Sequence, residues 1–201
     1  MKNVLLVTSS PRGEASHSTQ VATELAKSLG GNLTLRELWR DPVPPIGPAF
    51  VHAMFTPAED RTPEQREVLA PSDAAIAELQ QADVIIIAAG MINFGMPAAL
   101  KTWIDLVTRA DMTFSYATGR PEGLLTNKRL VLVLATGGVY TAGPMQAMDH
   151  LEPALRTSLG FLGLTNVETV RVEGVAHGED ATAQALVSAA NQVREVIASV
   201  R

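Results

Sequence analysis

Five short runs of β-branched and aliphatic residues recur along the 201-residue chain, at 4–7, 33–38, 84–89, 130–135 and 167–172. Residues 4–7, 84–89 and 130–134 are almost continuously apolar, as central parallel strands covered on both faces must be. The other two alternate apolar and polar positions, which suits edge strands. Helical spacing fills the intervals. Ser18 is the expected N-cap of a helix running to residue 29, which Gly30 and Gly31 stop, and Pro97 is expected at the first position of another helix, with Leu100, Ile104 and Val107 on one face. Strand and helix therefore alternate as in βαβ units. Right-handed crossovers then predict a doubly wound five-stranded parallel sheet of order 2-1-3-4-5, with helices on both faces.

Two segments exceed this minimal scheme. Residues 41–63 hold six prolines (Pro42, Pro44, Pro45, Pro48, Pro57 and Pro63) and read as an irregular excursion. Residues 112–123 read as a small hairpin or lid near the carboxyl edge of the sheet. Both are expected to roof a pocket.

Bulk properties narrow the function. Hydrophobic residues make up 46% and charged residues 18%, which is globular composition, and the length suits one domain over residues 1–201. The net charge of −5 and the scattered Lys and Arg argue against a nucleic-acid partner. There is no cysteine, no signal-peptide pattern and no apolar run near the roughly 20 residues that span a bilayer, so a cytoplasmic protein without a membrane partner is expected. His17, His52, His150 and His177 lie far apart without metal-ligand spacing, so no metal site is expected. A G-x-S-x-G nucleophile elbow and a G-x-x-x-x-G-K-[ST] nucleotide loop are both missing.

Three loops remain as candidates, each following an apolar strand. Thr8-Ser9-Ser10-Pro11-Arg12-Gly13-Glu14-Ala15-Ser16-His17-Ser18 leads into a helix N-terminus, where free N–H groups and the positive dipole end favour phosphate. Capping and turn formation by Ser and Gly is the competing reading. Gly90-Met91-Ile92-Asn93-Phe94-Gly95-Met96-Pro97 offers glycines through which backbone could approach a flat ligand, and Ala135-Thr136-Gly137-Gly138-Val139-Tyr140 offers a glycine pair. A tight strand-to-helix turn would explain the last loop equally well. Taken together, the three could surround one elongated ligand, with phosphate at the first, a ring face at the second and a polar ring edge at the third. A flavin is the expected ring.

These residues resemble the FMN-dependent NADH-azoreductases and quinone reductases of the flavodoxin-like superfamily. The resemblance runs almost end to end. It rests on residues 4–18, on Met91-Ile92-Asn93-Phe94 with Pro97, Leu100 and Lys101, and on Thr113-Phe114 with Tyr116 and Pro121-Glu122-Gly123. It continues through Gly137-Gly138 to Leu159-Gly160-Phe161-Leu162-Gly163. It implies a homodimer with FMN at the subunit interface, using NADH or NADPH to reduce quinones or azo compounds in two ping-pong half-reactions. By position, Ser10, His17 and Ser18 would hold the FMN phosphate, while Met91, Ile92, Asn93 and Phe94 would line the isoalloxazine. Gly137 and Gly138 would touch its edge, with Tyr140 available to donate a hydrogen bond, and Tyr116 and Phe161 would shape the substrate cavity. The stripe Met145, Met148, Leu151, Leu155 and Leu159 reads from its spacing as core or dimer seam, and the resemblance favours the seam.

The chain departs from the family pattern at several of these positions. Family members often have Pro-Met-Tyr-Asn-Phe where this chain has Gly90-Met91-Ile92-Asn93-Phe94, so an aromatic neighbour of the ring becomes aliphatic. His17 stands where Gln is common, Ala135-Thr136 where Ser-Arg is frequent, and Tyr140 where His occurs. Trp103 reads as packing, and Lys101 and Arg109 as solvated. Two other function classes share the fold, a non-catalytic electron carrier and an NAD(P)-sensing regulator. A carrier needs an exposed ring edge and a strongly acidic docking face, whereas residues 42–63 and 112–123 would cover the ring, so the enzyme is favoured.

Overall fold

The computed structural model describes residues 1–200. In chain order the elements are β1 (Asn3–Thr8), α1 (His17–Leu29), β2 (Asn32–Glu37), α2 (Pro48–Phe55), α3 (Pro63–Gln81), β3 (Val84–Gly90), α4 (Ala98–Val107), β4 (Phe114–Ser115) and β5 (Glu122–Gly123). They continue with β6 (Arg129–Thr136), α5 (Glu152–Phe161), β7 (Asn166–Glu173) and α6 (Glu179–Val200). Five strands form one parallel sheet of order β2-β1-β3-β6-β7, and β4 and β5 form a separate antiparallel pair. Ranked along the chain, this is the expected order 2-1-3-4-5.

The twofold alternation of side chains along each strand divides the core. Leu5, Val7, Ile85, Ile87, Leu130 and Leu132 face one way and pack with residues of α2, α3, α4 and α5. Val4, Leu6, Val84, Ile86, Val131 and Val133 face the other way and pack with α1 and α6. Both faces are covered, so the interiors of these strands are apolar at every position, with polar residues only at their ends. At the edge strand β2 the alternation leaves Leu33 and Leu35 about half exposed.

Boundaries shift by one or two residues from expectation. The N-cap of α1 is Ser16, and Ser18 lies inside the helix, fully buried. Pro97 is the N-cap of α4, which begins at Ala98. At the other end of α1, Gly30 (φ 66°) and Gly31 (φ 97°) do stop the helix. A Cβ on Gly31 would lie 2.1 Å from the Lys2 carbonyl oxygen, so glycine is required there by space as well as by φ.

Other expectations are corrected outright. The proline-rich stretch is not wholly irregular, because Pro48 starts the eight-residue helix α2 and Pro63 starts α3 behind a Thr62–Gln65 capping box. The anticipated apolar stripe is not one surface. Leu151, Leu155 and Leu159 belong to the core, while Met145 and Met148 sit exposed on a 3-10 turn ahead of α5. Arg109 is not solvated: at 3% exposure it donates to Ser72 Oγ at 3.1 Å and pairs with Asp73, tying the end of α4 to α3. Lys101 remains on the surface beside Asp105. Trp103 is fully buried in the core. No helix among the described residues is long and apolar enough to cross a membrane.

The expected hairpin over 112–123 exists, and the chain fixes it firmly. Gly123 lies against the turn after α5, where a Cβ would come within 2.1 Å of the Gly163 nitrogen, and Leu125 N donates to Leu162 O at 2.8 Å. Gly123→Ala is therefore expected to push the hairpin off α5 and destabilise the protein by roughly 1–3 kcal/mol. Urea denaturation measures this, and unchanged stability would show that the hairpin is not held by that contact.

Candidate functional site

The carboxyl ends of β1, β3 and β6 open into one cleft of about 180 Å³. The first loop supplies Ser10, Pro11, Arg12, Ser16 and His17 to its wall. The second supplies Gly90, Met91 and Ile92, and the third supplies Ala135, Thr136 and Gly137. Val175, from the loop after β7, completes it.

The first loop is shaped by its own polar groups. Ser9 N and Ser9 Oγ both donate to Ala88 O, at 3.1 and 2.9 Å, which anchors it to the end of β3. Ser10 accepts at Oγ from Arg12 N and at its carbonyl from Gly13 N, at 3.3 and 2.9 Å. Ser16 caps α1 by position but makes no side-chain cap bond; its hydroxyl meets that of Ser18 at 3.0 Å. Among the described residues nothing accepts from the backbone N–H of His17, Ser18 or Thr19, the orphan donors of a helix start. His17 Nδ1 and Thr19 Oγ1 are buried without a partner. Unspent donors at a helix start favour an anion there.

The second loop is a tight two-residue turn. Ile92 and Gly95 exchange N–H···O bonds of 2.9 and 3.0 Å across Asn93 (φ 47°) and Phe94 (φ 68°), both left-handed. Asn tolerates that region, but for Phe it is strained. The strain is held in place because His150 N donates to Phe94 O at 3.0 Å, and the Phe94 and Tyr140 rings meet edge to face at 6.4 Å.

The third loop spends its carbonyls and keeps its amides. Gly174 N donates to Thr136 O and Gly138 O at 3.0 and 3.1 Å, and Ala176 N donates to Gly137 O at 3.0 Å. Among the described residues nothing accepts from the N–H of Gly137, Gly138 or Val139.

Of the residues picked from the sequence, Ser10, His17, Met91, Ile92 and Gly137 line this cleft together. Ser18 sits beneath it with its hydroxyl turned to Ser16, so the group it offers is its backbone N–H. Asn93 and Phe94 form the exposed tip of the second loop, and Gly138 and Tyr140 lie further along the third. Tyr116 and Phe161 do not line the cleft. Both flank Phe114, with ring centroids at 5.6 and 4.8 Å, and Tyr116 also borders a larger cavity of about 840 Å³ with Met54, Phe55, Arg61 and Arg109. Sequence reading passed over Arg12 and Val175. Arg12 was visible as the one cation in the first loop, whereas nothing in the pattern placed Val175 beside it.

Behind Tyr140, Glu152 at the start of α5 anchors β7. Burial pushes its carboxyl up, but Arg156 and Thr169 at 2.8 Å, together with Arg171, more than reverse this and hold it below the usual carboxylate range.

A five-stranded parallel sheet in this order, with a donor-rich crevice where the first and third strands part, defines a flavodoxin-like α/β protein. The chain belongs to the flavodoxin-like fold family, whose sequence model matches residues 2–197. It is 45% identical over 202 residues to a Mesorhizobium japonicum protein named FMN-dependent NADH:quinone oxidoreductase, covering 98% of this chain and 96% of that one. A Rhizobium etli protein, FMN-dependent NADH:quinone oxidoreductase 1, is 45% identical over 201 residues, covering 98% of each. Among solved structures, an azoreductase from Bacillus anthracis superposes with a TM-score of 0.88 at 27% identity, covering 98% of this chain and 99% of that one.

Because the folded Glu152 carboxyl lies below its unfolded value, the stability it contributes is present above the ordinary carboxylate range and is lost as pH falls through the folded value. Glu152→Gln is expected to cost roughly 1–3 kcal/mol at neutral pH, with the deficit shrinking in acid. Melting temperatures across pH 3–8 check this, and a pH-independent deficit would assign the loss to packing instead.

Proposed function

We propose that this protein is an FMN-dependent NAD(P)H oxidoreductase that reduces quinones, azo compounds or both. One observation carries the reading: the ends of three adjacent strands open into a single cleft, and at two of them, the first and third loops, backbone donors are left without an acceptor among the described residues. The family and the names of its relatives support it.

The residues present fit FMN. The unpartnered amides of His17, Ser18 and Thr19 and the buried His17 Nδ1 are donors or acceptors awaiting a partner, and a phosphate supplies one. A Cβ on Gly90 would meet nothing closer than 3.9 Å, and one on Gly137 nothing closer than 3.4 Å. Packing within the chain therefore does not demand glycine at these positions, whereas close approach of a ring does. Ser10, His17 and Ser18 would hold the phosphate, with Met91, Ile92, Asn93 and Phe94 along the ring and Gly137, Gly138 and Tyr140 at its edge.

When bound, FMN supplies hydride chemistry, taking two electrons from a nicotinamide and giving them to the acceptor in a second half-reaction. The chain's own part is placement and electrostatics. Amides of Gly137, Gly138 and Val139, fixed from behind, would stabilise negative charge at the ring edge without reorganising. Tyr116 and Phe161, joined through Phe114, would give flat substrates an apolar wall, and stacking there works by proximity. Exposed apolar groups around them, Phe55 at 77% and Tyr116 at 58%, support a homodimer that would cover them. We place the protein in the cytoplasm, as one domain over residues 1–201. NADH is the donor named for the relatives, and NADPH competes with it in the test below. The electron-carrier and regulatory readings gain no observation of their own.

Anaerobic stopped-flow tests the proposal. FMN-loaded protein mixed with NADH or NADPH should lose its visible flavin band rapidly, and a quinone should restore it. Tight FMN binding without bleaching by either nicotinamide would establish a carrier or sensor instead.

A further inference from the structure

Glu173, the last residue of β7, lies outside the cleft yet holds the loop that would meet the ring edge. Its carboxylate accepts from Tyr140 N at 2.8 Å, from Thr141 N at 3.1 Å and from Thr141 Oγ1 at 2.6 Å. No lysine or arginine side chain pairs with it among the described residues, so donors of the third loop compensate its charge. Immediately after it, the backbone N–H groups of Gly174, Val175 and Ala176 take the carbonyls of Thr136, Gly137 and Gly138, at 3.0–3.3 Å. One short segment, residues 173–176, thus grips the whole outer side of the third loop. The amides of Gly137, Gly138 and Val139 are left over, with no acceptor among the described residues.

The grip reaches the second loop as well. The Tyr140 ring lies 3.4 Å from where a Cβ on Gly138 would be, and it meets Phe94 edge to face. Phe94 is the strained residue of the 92–95 turn, and Tyr140 is one of the neighbours that can hold its ring. A carboxylate fixing the backbone of Tyr140 therefore bears on both loops that would contact a flavin.

We propose that Glu173 is a positioning residue of the cofactor site: by fixing Tyr140 and Thr141 it keeps the Gly137–Gly138–Val139 amides directed at the ring edge. This rests on the FMN reading above. It assigns the effect to geometry rather than to the charge of Glu173, and the two accounts differ in sign. If Glu173 positions donors, Glu173→Ala weakens stabilisation of the reduced ring and lowers the flavin midpoint potential. If its negative charge acted on the ring directly, removing that charge would raise the potential. Glu173→Gln separates them further, because an amide oxygen can still accept from Tyr140 N and Thr141 N while carrying no charge.

The experiment measures FMN dissociation constants by fluorescence quenching, flavin midpoint potentials, and melting of the FMN-free protein for wild type, Glu173→Ala and Glu173→Gln. We expect Glu173→Ala to weaken FMN binding by roughly 10-fold or more, the scale of hydrogen bonds to a charged group, and to lower the potential. Glu173→Gln should restore most of both. Equal FMN affinity and potential in all three proteins, with only the melting temperature of Glu173→Ala reduced, would make Glu173 merely structural and overturn the proposal. A raised potential in both variants would overturn it in favour of direct charge. Wild-type protein that binds no FMN would overturn the functional reading itself, an outcome distinct from either.

Discussion

Parallel strands buried on both faces impose a direction on everything around them. Each strand must be followed by a crossover, and each crossover helix that packs back on the sheet starts near the carboxyl end of the strand it follows. Helix starts carry donors that the helix cannot satisfy, so the carboxyl edge of such a sheet collects unspent N–H groups. In this protein β1, β3 and β6 lie side by side with apolar residues at almost every position, and three loops are delivered to one cleft. The burial that stabilises the sheet and the polarity that makes the site follow from the same constraint.

Within the cleft the loops differ in how they keep their donors available. The first does it by helix geometry, because His17, Ser18 and Thr19 occupy the opening turn of α1. The third does it by division of labour, its carbonyls bound from behind by residues 174–176 while its amides stay free. The second loop instead stores strain. A phenylalanine at φ 68° costs on the order of 1–3 kcal/mol, and such a conformation persists only where neighbours over-determine it. Here the reciprocal Ile92–Gly95 bonds, the His150 amide and the Tyr140 ring do so. Glycine in place of Phe94 would relieve the backbone and remove the ring, which is why a large residue in that position points to use rather than to stability.

The fold was legible because the signal for it is redundant. Three apolar runs, glycine stops and proline starts all agree on one βαβ series, and the sheet has the order they imply. The site was legible only in part. Loop positions followed from strand ends, so Ser10, His17, Met91, Ile92 and Gly137 meet as expected. Arg109 was misread because nothing local distinguishes an arginine paired across α3 and α4 from a solvated one; the Ser72 and Asp73 partners are 36 or more positions away. The stripe from Met145 to Leu159 was misread as one surface because its spacing assumed one continuous helix, whereas the methionines sit on a separate 3-10 turn and Asp149 Oδ1 accepts from Leu151 N and Glu152 N where α5 begins, between them and the buried leucines. Helix α2 was hidden among prolines that break helices in their interiors but start them at their first turns.

The central claim is that one FMN lies across the three loops, phosphate at the start of α1 and ring edge at residues 137–139. A crystal structure of the protein grown with FMN tests it most directly. The account predicts phosphate oxygens within hydrogen-bonding distance of the His17, Ser18 and Thr19 amides, and the ring edge against the Gly137 and Gly138 amides. FMN seated instead in the larger cavity beside Arg61 and Arg109, or density for it in neither place, would contradict the account.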